Sequence, residues 1–282
     1  MPVIAVIGAG TLGGTLAHAL ALQDVYREIR LIDEAGDVAA GKALDTLQAG
    51  PVEGFRTRLV ADSSPAGAAG ADVVILAGPA STPDAEWDDD SGLVHLRRVA
   101  AVNHRAVIVC AGAGHRRLVE HGASEDGLAR RRVLGSAPEA LRAAVRAIVA
   151  LEVGCAASEV ALTVLGTPPR HVLVPWSQAT VGGASLESCL ATARLARLRA
   201  RVSKLWPPGP YALAAAAARV AAALVTGSGR RSSCFVMADG ELGVRRQALA
   251  APVELDTDGV KRIVQPSLSV RERGELEAAR AG

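Results

Sequence analysis

The stretch Val3-Ile4-Ala5-Val6-Ile7-Gly8-Ala9-Gly10-Thr11-Leu12-Gly13 decides how the rest of this 282-residue chain is read. Its first five residues are apolar and mostly β-branched, the pattern of a strand buried on both faces. Three glycines at the spacing G-x-G-x-x-G follow, and a helical pattern runs on from Leu12 to Leu22. In that setting the first glycine makes a tight turn, the second lets the backbone approach a pyrophosphate, and the third packs helix against strand. The helix start adds unpaired N–H groups and the favourable end of its dipole. The motif alone is weak, and its strand–turn–helix context gives it weight. Twenty residues past Gly13, Asp33 ends the next apolar run. A carboxylate there accepts hydrogen bonds from a ribose 2′-hydroxyl and repels a 2′-phosphate, which predicts NAD rather than NADP.

Working outward, the first half alternates strands with helices. Strands are predicted over 3–7, 28–33, 57–61, 72–77 and 106–110, and helices between them include 12–22 and 39–47. This rhythm predicts an α/β, Rossmann-type doubly wound parallel sheet. The segment Pro79 to Gly92, with two prolines and the acids Asp84, Glu86, Asp88, Asp89 and Asp90, is predicted as a loop. From Ser136 the character changes. Ala137, Leu141, Ala144, Ile148 and Leu151 recur at helical spacing. β-rich stretches over 159–165 and 171–176 come next, then helices near 186–204 and 211–225. The tail reads as an antiparallel sheet (233–237, 247–253, 262–264) and a closing helix whose Ser269 and Glu272 have capping-box spacing. The boundary is expected near Gly135, giving a dinucleotide-binding domain over 1–135 and an α+β domain over 136–282.

Composition narrows the partners. With 50% apolar and 21% charged residues the chain reads as a globular protein. Three tryptophans, two tyrosines and two phenylalanines leave aliphatic side chains and alanine to carry the packing. A net charge of +2, with arginines scattered in pairs and one triplet, offers no basic stripe for nucleic acid. Cys110, Cys155, Cys189 and Cys234 lack metal or disulfide spacing, and His95, His104, His115 and His121 share no common one, so no metal site is expected. Met1 leads straight into a strand, and the apolar stretch 211–225 is short and interrupted by Arg219. Neither a signal peptide nor a membrane span is expected, and the location expected is the cytoplasm.

The chain resembles the lactate/malate dehydrogenase family over nearly its whole length. The first βα units (6–22, and LIDEAGDVAAGKALDTLQ over 31–48) carry the likeness, as do ADVVILAGPA over 71–80, VLGTPPRHVLVPWS over 164–177 and DGVKRIVQPSLSVRERGELE from Asp258. The resemblance implies an NAD-binding domain, a mixed α+β domain after it, and a homodimer or homotetramer. The residues assigned to the cofactor are Gly8, Gly10, Thr11, Leu12, Gly13, Asp33 and Gly78.

The chemistry implied by the resemblance requires a histidine oriented by an aspartate, an arginine clamping a carboxylate, a loop arginine polarising a carbonyl, and an asparagine near the nicotinamide. Here the histidine position holds Pro168, the aspartate position Leu141, the clamp position Ala144, and the asparagine–proline pair Ala111 and Gly112. Arg146 matches a neighbouring arginine that is not the clamp, and the segment 79–96 has no lysine or arginine. Loss of a general acid–base alone costs about 10²–10⁴ in rate, so hydroxy-acid turnover is expected to be lost. Three readings follow: an NAD-binding pseudoenzyme, an oxidoreductase acting on a neutral or cationic substrate, and a non-redox cyclase or isomerase. His171, three residues past the vacated position, is the candidate replacement base, with Arg170 beside it for an anion. Glu139 reads as an acid at a helix start, Asp88 to Asp90 as a solvated run, and Tyr211 as lining a cavity or packing.

Overall fold

The β-branched runs of the first half form strands, and the periodic segments between them form helices. The computed structural model describes residues 1–87, 89–124 and 128–278. Val3–Ile7 (β1) leads into Thr11–Ala21 (α1), followed by Glu28–Ile32 (β2), Gly36–Glu53 (α2), Arg58–Asp62 (β3) and Val73–Leu76 (β4). Asp89–Val102 (α3), Val107–Cys110 (β5), Arg116–Ser124 (α4) and Val133–Gly135 (β6) complete this half. Ala137–Val153 (α5) opens the second, with Val160–Ala161 (β7), Leu165–Thr167 (β8), His171–Leu173 (β9), Thr180–Val181 (β10) and Ala184–Ser185 (β11) after it. Leu186–Cys189 (α6), Thr192–Val202 (α7) and Pro210–Thr226 (α8) precede Arg231–Asp239 (β12), Arg245–Asp256 (β13), Gly259–Ile263 (β14) and Val270–Ala278 (α9).

One sheet runs in the order β3-β2-β1-β4-β5-β6-β12-β13-β8-β9, with β14 on β13. Pairing is parallel from β3 to β6 and antiparallel beyond it. The order reverses between β1 and β4, which opens a crevice outside the carboxyl ends of the strands. Burial follows the pattern: β1, β4 and β5 are inward-facing throughout. Leu12, Leu16 and Leu20 put one stripe of α1 into the core, each worth about 1.5–3 kcal/mol relative to exposure. α8 packs on α1, and the small buried faces of Ala214, Ala217 and Ala221 permit close approach. A second core gathers Leu141, Val145, Val149, Trp176 and Leu198 between α5, α7 and the β7–β9 region.

Several expectations are revised. The tail strands do not form a sheet of their own: Phe235 of β12 pairs with Gly135 of β6. β6 and α4 escaped the sequence reading because three residues and one short amphipathic run carry little periodicity. α2 extends through Pro51 to Gly54, whose φ of 86° caps it. The single helix expected near 186–204 is two, because Leu190 is extended at φ −128° and ψ 135°. The stretch 159–165 breaks after Ala161, and the predicted loop turns helical at Asp89. Asp88, in the acidic run, lies outside the described residues. The capping box forms: the Ser269 backbone N–H and hydroxyl donate to Glu272 at 2.9 and 2.8 Å, and the Glu272 amide donates back at 3.3 Å. Among the described residues no single helix is long and apolar enough to cross a membrane.

Candidate functional site

β1 delivers the glycine turn to the crevice, and β4 delivers Gly78 beside it. The backbone of Gly13 packs so closely under the turn that a Cβ there would collide with the carbonyl oxygen of Gly8. At Gly10 a Cβ would come within 2.7 Å of the Pro79 carbonyl oxygen and 2.9 Å of that of Pro83. Asp33, 6% exposed, stands at the end of β2. Its Oδ2 accepts from the amides of Ala9 at 2.7 Å and Ala80 at 2.9 Å, and its Oδ1 accepts from Ala35 at 2.9 Å. These predicted residues converge at one place.

Lys42 joins them, and the sequence reading missed it. Its Nζ donates to the carbonyls of Ala9 and Gly10 at 2.6 and 3.0 Å, which sets a cation under the turn. Partial burial lowers its pKa, and the charge of Asp33 opposes that shift. The only sequence signal was that Lys42 is one of three lysines.

The segment from Gly78 to Trp87 lies across the turn. Gly10 N–H donates to the Gly78 carbonyl at 3.0 Å and Thr11 N–H to the Pro83 carbonyl at 2.6 Å. The Thr11 hydroxyl donates to Asp84 Oδ1 at 2.8 Å. Farther along, both carboxylate oxygens of Glu86 are held, Oε1 by the Ala113 amide at 2.6 Å and Oε2 by the Gly114 amide at 2.7 Å. Trp87 donates from Nε1 to the Ile7 carbonyl at 3.3 Å and lies 4.1 Å, centroid to centroid, from His95. Burial first, then the nearby Arg98 charge, lowers the His95 pKa. The turn itself fits a dinucleotide: it has the close-approach glycine, the helix start and the carboxylate. Its two leading N–H donors are engaged by this segment.

Next to it opens a cavity of 650 Å³ lined by Glu86, Gly114, Arg117, Arg170, His171 and Trp206, among others. The β8–β9 hairpin pairs Thr167 with His171, which brings His171 and Arg170 to this cavity. Arg116 also borders it while bridging Glu120 at 2.9 Å and the Ala248 carbonyl at 3.1 Å. Pro168 is buried in the same wall. Leu141 is fully buried in the second core.

Other candidates sit elsewhere. Tyr211 is 79% exposed at the start of α8, so it neither lines this cavity nor packs into the core, contrary to both readings. Glu139 is at a helix start, as predicted, but it is 3% exposed and anchors a buried network. It pairs with Arg142 through both carboxylate oxygens, accepts from the Ser233 amide at 2.8 Å, and lies 3.4 Å from Arg219. Burial alone would lower the Arg142 pKa; the hydrogen bonds and charge of Glu139 outweigh it and hold Arg142 above its ordinary value.

Comparison with known proteins adds the ancestry. A model of the lactate/malate dehydrogenase NAD-binding domain matches residues 3–89, and one of the lactate/malate dehydrogenase alpha/beta C-terminal domain matches residues 208–281. The malate dehydrogenase of Desulforudis audaxviator is 32% identical, the alignment covering 97% of this chain and 94% of that protein. That of Thermomicrobium roseum is 27% identical over 97% and 93%. Among solved structures, malate dehydrogenase from Salinibacter ruber gives a TM-score of 0.89 at 24% identity, covering 99% of this chain and 94% of that one. Lactate dehydrogenase from Cryptosporidium parvum, complexed with lactic acid and nicotinamide adenine dinucleotide, gives 0.89 at 23% identity, covering 99% and 94%. At these identities the structures speak for the fold. The family model over residues 3–89 makes the first part of the chain an NAD-binding domain.

The full-length relatives overturn the expectation that hydroxy-acid chemistry is lost, and with it the pseudoenzyme, non-carboxylate and non-redox readings. Chains similar along their whole length are named malate dehydrogenases. That expectation equated an activity with the motif positions Leu141, Ala144, Pro168, Ala111 and Gly112 and with an arginine-free loop. Leu141, Ala144 and Pro168 hold no acid, clamp or base, yet His171, Arg116, Arg117 and Arg170 line the cavity whose wall includes Pro168.

Proposed function

Because this chain belongs to the lactate/malate dehydrogenase family, we propose that it is an NAD-dependent dehydrogenase interconverting a 2-hydroxy acid, of the malate or lactate kind, with its 2-oxo acid. The observation that carries the reading is the carboxylate of Glu86, seated on the Ala113 and Gly114 amides in a cavity that also presents Arg117, Arg170 and His171. A cleft that holds a carboxylate of its own has the donors for a substrate carboxylate.

Bound NAD supplies the hydride acceptor. The Gly10 and Thr11 amides, engaged within the chain here, would hold the pyrophosphate, Asp33 would take a ribose hydroxyl, and Lys42 would add positive charge beneath the turn. His171 receives the hydroxyl proton on an unprotonated ring nitrogen as the alcohol carbon gives up hydride, and returns it in the reverse direction. Arg170 fixes the substrate anion. In a spectrophotometric NADH assay with oxaloacetate and pyruvate, His171→Ala lowers kcat by about 10²–10⁴, whereas Arg170→Ala acts mainly through KM. Failure of the wild-type protein to turn over any 2-oxo acid, or unchanged kcat in His171→Ala, overturns this assignment.

A homodimer or homotetramer goes with this reading. Ala40, Leu44, Leu47 and Pro51 make an exposed apolar stripe along one face of α2, the kind of patch that self-association covers. Light scattering that finds only monomer at micromolar concentration removes this part. The four cysteines are free thiols, in keeping with a cytoplasmic location.

A further inference from the structure

We propose that the segment Pro79–Trp87 is a competitor built into the chain: it occupies the seats of dinucleotide and substrate together, and NAD binding expels it. The inference rests on the reading of the crevice as an NAD-dependent hydroxy-acid site. It goes beyond that reading in assigning the loop a state that excludes both ligands.

Mutual exclusion is a matter of atoms. The Thr11 amide has one proton, and the Pro83 carbonyl accepts it at 2.6 Å. Gly78, the residue that leads into the segment, takes the Gly10 amide at 3.0 Å in the same arrangement. A pyrophosphate on a helix start uses these same donors. The space over Gly10, which the missing side chain leaves open for phosphate oxygens, holds the carbonyls of Pro79 and Pro83 at 2.7 and 2.9 Å from a would-be Cβ. At the substrate end, Glu86 satisfies the Ala113 and Gly114 amides at 2.6 and 2.7 Å. Asp84, bonded to the Thr11 hydroxyl at 2.8 Å, would lie against a diphosphate of like charge. The segment 79–96 carries no lysine or arginine to offset that repulsion. Loop and ligand cannot share the crevice.

The segment is also well enough held to matter. Ala80 N–H bonds Asp33 at 2.9 Å, and Trp87 bonds Ile7 at 3.3 Å while its ring lies tilted at 42° against His95. Release breaks these together, so the open form is the minor one before ligand arrives. The apparent dissociation constant for NAD then exceeds the intrinsic one by the inverse of the open fraction. Removing Asp84 and Glu86 side chains raises that fraction.

Hydrogen-exchange mass spectrometry of the full chain, with and without NAD, tests this directly. The expected result is faster exchange in peptides covering 79–87 when NAD is present, the reverse of what a closing lid gives. In parallel, calorimetry on Asp84→Ala/Glu86→Ala shows NAD binding about tenfold tighter than wild type. Slower or unchanged loop exchange with NAD bound, together with equal affinities, overturns the competitor while leaving the cofactor assignment intact. No binding at millimolar NAD to either protein overturns both. Should the double variant fail to fold, the exchange experiment on the wild-type chain decides alone.

Discussion

Glu139 is the strongest handle on stability in this molecule. Its carboxylate is 3% exposed and faces Arg142, whose side chain is 15% exposed, at the start of α5. Glu139→Ala leaves that guanidinium buried without a carboxylate, a loss of about 3–5 kcal/mol. The Ser233 amide, on a residue 1% exposed, loses its acceptor as well, a penalty of about 1–3 kcal/mol that overlaps with the first. Arg219 is 42% exposed and 3.4 Å away, so its share is at most about 1 kcal/mol. The net expectation is about 3–5 kcal/mol. At about 2–4 °C per kcal/mol for a chain of this size class, the midpoint falls by roughly 6–20 °C. Glu139→Gln keeps an acceptor for Ser233 and loses only the charge, so it should fall between wild type and Glu139→Ala. Replacing the pair together, Glu139→Leu/Arg142→Met, should recover much of the loss, because no charge is then stranded. Urea denaturation and calorimetry of the three variants provide the measurement. A Glu139→Ala protein within about 1 kcal/mol of wild type refutes the reasoning.

Two further outcomes follow from single groups. Gly13→Ala forces a Cβ against the Gly8 carbonyl oxygen and should lose about 1–3 kcal/mol; an unchanged urea midpoint would show that the turn yields freely. Glu254 is drawn down to about 2, mainly by its hydrogen bond from Arg262 and also by Arg231. A lowered carboxylate pKa contributes stability that is complete above the ordinary glutamate range and fades as pH falls toward about 2. The Glu254→Gln variant should therefore have a flatter stability profile than wild type between about pH 4.5 and pH 2, and parallel profiles would remove Glu254 from the acid response.

What could be read without coordinates was what short-range order determines. The run Val3 to Ile7, the three glycines and Asp33 carry the nucleotide turn in a few tens of residues, and each falls where the pattern puts it. The long-range partners were illegible. Glu139 is an acid at a helix start in sequence; Ser233, its partner, is 94 positions away. Thr11 and Asp84 meet across 73 positions, so nothing local tells that an acidic, proline-punctuated loop folds back onto the turn. Lys42 has the same difficulty, since a lysine on an amphipathic helix reads as solvated until the turn is built against it. The functional misreading had another source. Side-chain identity at Leu141, Ala144 and Pro168 was weighed one position at a time, whereas a cleft pools groups from β9, α4 and the loops around them.

The pairing of β12 with β6 has a mechanical consequence. Backbone pairing carries the sheet from the nucleotide-binding strands into the strands that bear the β8–β9 hairpin, so the floor beneath both walls is one continuous sheet. Jaw-like rocking of two halves would have to break the Phe235–Gly135 pairing that joins them. With the floor continuous, changes in what the crevice accepts can accumulate in the nine residues Pro79–Trp87 of its cover while the sheet beneath stays as it is.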